Sequence, residues 1–177
     1  MKTINDTLPT FTLTAVISPE AANAFTEITE KTYAGSWQVY FFWPKDFTFV
    51  CPTEIIGFGE IDSELKKRDT QLLGVSTDSE YVHLAWRNEH HGLKNSPFPW
   101  LADLKKELSD AFGVLSDEGV AQRATFIVDP EGKIRFAATY DDSVGRNPEE
   151  ILRVLDALQS GGLCACRWQK GDELLAT

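Results

Sequence analysis

The stretch Val39-Tyr40-Phe41-Phe42-Trp43-Pro44-Lys45-Asp46-Phe47-Thr48-Phe49-Val50-Cys51-Pro52-Thr53-Glu54 decides the reading of this chain. Its first five residues are an unbroken β-branched and aromatic run, the pattern of a strand buried on both faces, and the strand is predicted over Trp37 to Trp43. From Pro52 to about Arg68 the period changes: Ile55, Phe58, Ile61 and Leu65 recur at helical spacing on one face. A cysteine therefore stands where a strand gives way to a helix. Pro52 suits the first turn of that helix, where its missing N–H costs nothing, and it disfavours helical geometry in the residue before it. Cys51 is expected at or near the N-cap, with unpaired backbone N–H groups and the positive end of the helix dipole directed at its sulfur. Both effects favour a thiolate, the nucleophilic form of cysteine.

Working outward, Phe11 to Val16 reads as a first strand and Gln71 to Ser76 as a third, and Asp78 can cap a helix running to about His90. Pro97 to Leu101 is a short extended piece, followed by a brief helix from about Lys105 to Phe112. Ala124 to Val128 and Ile134 to Thr139 flank Asp129-Pro130-Glu131-Gly132-Lys133, a turn sequence, and form a predicted hairpin. Asn147-Pro148 opens a last helix with Ile151, Val154, Leu155 and Leu158 on one face, ended by Gly161-Gly162. The alternation predicts an α/β fold, thioredoxin-like, with a mixed central sheet flanked by helices. The expected organisation is one domain: a body over 1–160 and a C-terminal tail over 161–177 that carries Cys164 and Cys166.

The 177 residues, 42% hydrophobic and 25% charged, fit an ordinary globular domain. A net charge of -10 argues against nucleic-acid and anionic-membrane partners, which would repel the chain. The basic run Lys66-Lys67-Arg68 reads as the solvated last turn of a helix, favoured there by the dipole. Met1-Lys-Thr-Ile-Asn-Asp has no apolar segment, and Val39 to Trp43 is far too short to span a bilayer, so a cytoplasmic location is the expectation. There structural disulfides are rare, and three cysteines are expected to be catalytic, redox-active or metal-binding. A dithiol oxidoreductase would want Cys-x-x-Cys, whereas Cys51 is followed by Pro52-Thr53-Glu54. Cys164, Cys166, His90 and His91 are too widely separated for a closed zinc site. No metal and no cofactor is implied.

Four motifs in order carry a family resemblance. Pro44-x-x-x-Thr48-x-x-Cys51 continues into Pro52-Thr53-Glu54; Ser79 to Asn88 contains His-Leu-Ala-Trp86; Gly119 to Asp129 contains Arg123; and Leu163-Cys164-Ala165-Cys166-Arg167-Trp168 follows the last helix. From about Thr7 to Trp168 the chain resembles the typical two-cysteine peroxiredoxins, of the alkyl hydroperoxide reductase (AhpC) class. The resemblance implies a thiol peroxidase acting on hydrogen peroxide and organic hydroperoxides, with roles in antioxidant defence and redox homeostasis.

It further implies a role for each matched residue. Cys51 attacks the peroxide and becomes a sulfenic acid. Arg123 and the Thr48 hydroxyl supply donors to the peroxide, Pro44 shields the sulfur, Glu54 orients Arg123 and Trp86 borders the site. Cys164 resolves the sulfenic acid from the other protomer of a homodimer. Cys166 departs from the pattern, and three readings stand open: backup resolver, relay to the reductant, or incidental thiol. The implied partners are peroxides and a reducing protein, thioredoxin-like or a dedicated disulfide reductase; dimers are expected, in rings of dimers.

Overall fold

The computed structural model describes residues 1–176; Thr177, the last residue of the expected tail, lies outside them. The described residues form β1 (Thr12–Val16), β2 (Phe25–Thr29), β3 (Trp37–Phe42), α1 (Cys51–Lys66), β4 (Thr70–Ser76), α2 (Glu80–Glu89), β5 (Trp100–Ala102), α3 (Glu107–Phe112), β6 (Arg123–Val128), β7 (Ile134–Tyr140) and α4 (Pro148–Gln159). The strands make one sheet in the order β2-β1-β5-β4-β3-β6-β7. Pairing is parallel between β3 and β4 and between β4 and β5, and antiparallel elsewhere. No helix among the described residues is long and apolar enough to cross a membrane.

The alternation of β3 divides the core in two. Tyr40 and Phe42 face one side with Leu73, Phe126, Leu108 and Phe112, under α3. Val39, Phe41 and Trp43 face the other with Ile55, Phe58, Trp86 and Leu155, under α1, α2 and α4. Buried on both faces, β3 is the unbroken apolar run its sequence announces. Phe41 stacks on Phe58 of α1 with centroids 4.2 Å apart and planes 11° apart. That contact seats the helix that starts at Cys51.

Several boundaries differ from the sequence expectation. β2 was not foreseen, because Phe-Thr-Glu-Ile-Thr buries only Ile28 fully and lies at the sheet's edge. Ser79, not Asp78, caps α2, its Oγ accepting from Val82 N–H. Of the basic run at the end of α1, Arg68 is not solvated: its guanidinium donates to both oxygens of Asp156 in α4 at 2.8 and 2.9 Å. The hairpin is as expected, with Gly132 at φ +76° closing the turn from Asp129. Among its described residues the tail has no helix or strand, but it is docked. Trp168 is buried, Arg153 donates to its carbonyl, Lys170 pairs with Asp156, and Leu163 bridges Leu175.

Phe58→Ala should therefore loosen α1 from the sheet at a cost of about 3–5 kcal/mol, read as a shift of the urea midpoint. A change below about 1 kcal/mol would show that the Phe41–Phe58 stack does not seat the helix.

Candidate active site

The site is assembled at the end of β3. β6 runs antiparallel to β3 with Phe41 opposite Thr125, so Arg123, two residues earlier, arrives where the chain leaves the sheet for α1. Cys51 is the first residue of α1, with Val50 already in the helical region, so the helix begins one residue further upstream than the proline rule indicated. Thr53 and Glu54 N–H both donate to Val50 O. Among the described residues no hydrogen bond occupies the Cys51 N–H.

Cys51 is fully buried, and Arg123 Nη1 donates to its sulfur at 3.3 Å. The same Nη1 donates to Glu54 Oε2 at 2.7 Å, and Arg123 Nε to Asp142 O at 2.8 Å, which fixes the guanidinium plane. Glu54 stands three residues along α1 from Cys51, hence on nearly the same helical face. It also receives Arg146, whose Nε reaches Oε1 at 2.8 Å and whose Nη2 reaches Oε2 at 2.9 Å. The Arg146 backbone N–H adds a bond to Oε1 at 3.0 Å, and its Nη1 donates to Ala124 O at 2.7 Å. Two guanidinium groups thus face one carboxylate, which leaves one positive charge uncompensated beside the Cys51 sulfur. In a buried place such a charge is costly unless further acceptors face it, and the Cys51 sulfur and Asp142 O do.

Burial works against the Glu54 carboxylate, yet the hydrogen bonds and charge of Arg146, with the charge of Arg123, outweigh it and hold its pKa below the usual value. Burial likewise opposes the Arg123 charge and is outweighed by its contacts with Cys51 and Glu54, so the guanidinium is held more firmly protonated.

The other sequence candidates fall around this cluster. Pro44 is buried at the end of β3. Thr48 is half-buried, and its hydroxyl donates to Lys45 O at 2.9 Å. Its hydrogen is therefore engaged, so toward a ligand Thr48 offers acceptor lone pairs rather than the donor that was expected. Trp86 is buried in α2 and meets the loop through Phe47, centroids 5.7 Å apart. Cys164 is half-buried after α4, its sulfur 3.4 Å from Ser160 Oγ, and Cys166 is exposed. Arg68, just past α1, binds Asp156, and Gln159 donates to Arg68 O, so the tail leaves α4 beside the far end of α1. Sixteen residues of helix separate that end from Cys51, roughly 24 Å. No group of three or more His, Cys, Asp or Glu side chains able to hold a metal occurs among the described residues.

Sequence reasoning missed Arg146. It stands in Gly-Arg-Asn-Pro before the cap of α4, an irregular stretch with no periodicity to mark it.

A family model described as the AhpC/TSA family matches residues 4–137. Alkyl hydroperoxide reductase C of Mycolicibacterium smegmatis is 53% identical over 178 residues, covering 96% of this chain and 91% of the relative. The solved structure of Mycobacterium tuberculosis AhpC superposes with a TM-score of 0.88 at 52% identity, over 96% of this chain and 99% of that one. A reduced two-cysteine peroxiredoxin of Plasmodium vivax gives 0.91 at 34% identity, over 98% and 93%. The chain belongs to the AhpC/TSA family, and its α/β fold is the thioredoxin-like fold of the peroxiredoxins.

The Glu54 shift has a sign. Its folded pKa is depressed, so the stability it contributes is complete above the usual value of 4.5 and is lost as pH falls below it. Unfolding free energy of the wild type should therefore drop on acidification below that value. Glu54→Gln should be less stable at neutral pH by about 3–5 kcal/mol and should lose that part of the acid dependence. Equal acid slopes for both proteins, in urea titrations, would contradict the assignment.

Proposed function

We propose that this protein is a thiol-dependent peroxidase reducing hydrogen peroxide and organic hydroperoxides through Cys51, in antioxidant defence and redox homeostasis. The observation that carries the reading is the Cys51 sulfur 3.3 Å from a guanidinium that Glu54 holds in place. The thiolate attacks the hydroxyl-bearing oxygen of the peroxide. An S–O bond forms as the O–O bond breaks, and the second oxygen leaves as hydroxide or alkoxide and takes a proton from water. Sulfur is oxidised to the sulfenic acid, and the peroxide takes up two electrons. Negative charge moves from sulfur to the leaving oxygen, and the fixed Arg123 charge and the Cys51 N–H lie where it develops. Thr48 accepts the peroxide O–H and so orients the attacked oxygen. Pro44 excludes water, Glu54 with Arg146 positions Arg123, and Trp86 backs the loop.

Cys164 of the partner subunit then attacks the sulfenic sulfur, expelling water and forming the disulfide. The exit of the tail beside the far end of α1, a helix about 24 Å long that starts at Cys51, supports resolution across chains, since a disulfide needs Cα atoms within roughly 7 Å. Cys51 is buried, so the first turn of α1 unwinds before closure. A reducing protein, thioredoxin-like or a dedicated disulfide reductase, regenerates the thiols, and the exposed Cys166 is the tail sulfur open to it. The body over 1–160 supplies the reacting cysteine and the tail over 161–177 the resolving one. Phe49, 94% exposed, with Phe47 offers an apolar surface for the contacts of a homodimer and its ring. Three free thiols suit a reducing cytoplasm.

Non-reducing electrophoresis after one equivalent of peroxide tests the scheme. Wild type should run as a disulfide-linked dimer; Cys51→Ser and Cys164→Ser should run as monomers, and only Cys51→Ser should leave the peroxide unconsumed. A Cys51→Ser protein that still consumes peroxide would sink the proposal.

A further inference from the structure

A second buried carboxylate touches the segment that carries Cys51. Asp46 Oδ1 accepts from Trp43 Nε1 at 2.8 Å, and its Oδ2 lies 2.6 Å from His83 Nδ1. The Asp46 backbone N–H donates to Asp78 Oδ2 at 2.9 Å, and Asp78 is itself held by Ser76 Oγ at 2.9 Å. On its other side His83 Nε2 faces Leu101 O of β5 at 3.3 Å. The side chains of His83 and Asp46 are 0% and 1% exposed. Residue 46 is therefore fastened to the end of β3, to α2 and to the β4–α2 turn, in a place without water, where such bonds are costly to break.

Beyond Asp46 the side-chain fastening thins. Phe47 has φ +56° and is half exposed against Trp86, and Phe49 projects into solvent. The Thr48 and Thr53 hydroxyls bond locally, to Lys45 O and Val50 O, while the buried Cys51 sulfur accepts from Arg123. The fastening tightens again at Glu54, under Arg123 and Arg146. Two buried carboxylates eight residues apart thus bracket the segment that contains Thr48 and Cys51, whose part over 47–50 is partly exposed.

We propose that Asp46, clamped by Trp43 and His83, is a positioning residue: the upstream pivot that holds residues 47–53 in the peroxide-reactive form. The inference rests on the reading of Cys51 as the thiol that attacks peroxide. Peroxide reduction needs the segment folded, whereas closure of the disulfide needs it unwound. A clamp that stabilises the folded form favours the first step and retards the second, so weakening it shifts the population toward the unwound form. The two rates then move in opposite directions. A residue with a merely structural role would slow both together.

Asp46→Asn keeps the shape and an acceptor for Trp43 but removes the charge facing His83. Trp43→Phe keeps an aromatic ring in the core and deletes the indole donor alone, so the test survives if the first variant folds poorly. Rapid-quench mass spectrometry of the reduced proteins mixed with hydrogen peroxide reads sulfenic acid and disulfide on Cys51 separately. Asp46→Asn should slow sulfenic acid formation on the order of tenfold while disulfide closure becomes faster, with a smaller change of the same signs in Trp43→Phe. Both steps slowed by a common factor, or neither changed, would overturn the clamp alone. A wild-type Cys51 that peroxide leaves unoxidised would overturn the peroxidase reading, and this inference with it.

Discussion

A carboxylate sealed from water and gripped by two guanidinium groups organises this molecule's reactive end. Glu54 receives four hydrogen bonds from side-chain and backbone donors of Arg146 and Arg123. Those arginines belong to the start of β6 and to the connection between β7 and α4, so one side chain stitches two distant parts of the chain to the first turn of α1. Removing any partner would strand a buried charge, which is why the arrangement is rigid. The same guanidinium that Glu54 holds also donates to the Cys51 sulfur, so the ionic cluster and the candidate reactive atom share one residue.

The rest of the fold holds this cluster in place and leaves room for motion next to it. β3 delivers the loop, the Phe41–Phe58 stack seats α1, and Arg146 lies 5.5 Å above both rings, joining the apolar core to the ionic one. Between the buried anchors, Phe47 and Phe49 are exposed and the Thr48 and Thr53 hydroxyls bond locally, while Cys51 is buried against Arg123. The tail is docked at the opposite end of α1 through Arg153, Lys170 and Trp168. Local looseness bounded by firm attachment is what a cysteine needs if it is to react while buried and then travel to a second thiol.

Much of this was legible in the sequence where the signal is local. The apolar run of β3, the helical spacing of Ile55, Phe58, Ile61 and Leu65, and the Asp129–Lys133 turn each announce their structure within a few residues. The edge strand β2 escaped because Thr26, Glu27 and Thr29 leave it half polar, and Ser79 and Asp78 are adjacent residues equally able to cap α2. Arg123 was reached by resemblance alone, since an arginine at a strand start carries no signal of what it will meet. Arg146, Asp46 and His83 were not legible as partners, because their meaning lies in contacts between residues 37 to 92 positions apart. The direction of the Thr48 hydrogen bond depends on the Lys45 carbonyl, which spacing does not reveal.

In the proposed chemistry the guanidinium of Arg123 makes the buried sulfur of Cys51 reactive toward peroxide. The most direct test is the single-turnover rate of Cys51 oxidation by hydrogen peroxide in wild type and in Arg123→Met, with folding checked by circular dichroism. A fall of about 10²–10³-fold in a folded variant is the predicted result, the scale of losing one fixed donor at a developing charge. A folded variant oxidised at the wild-type rate would show that Arg123 does not activate Cys51.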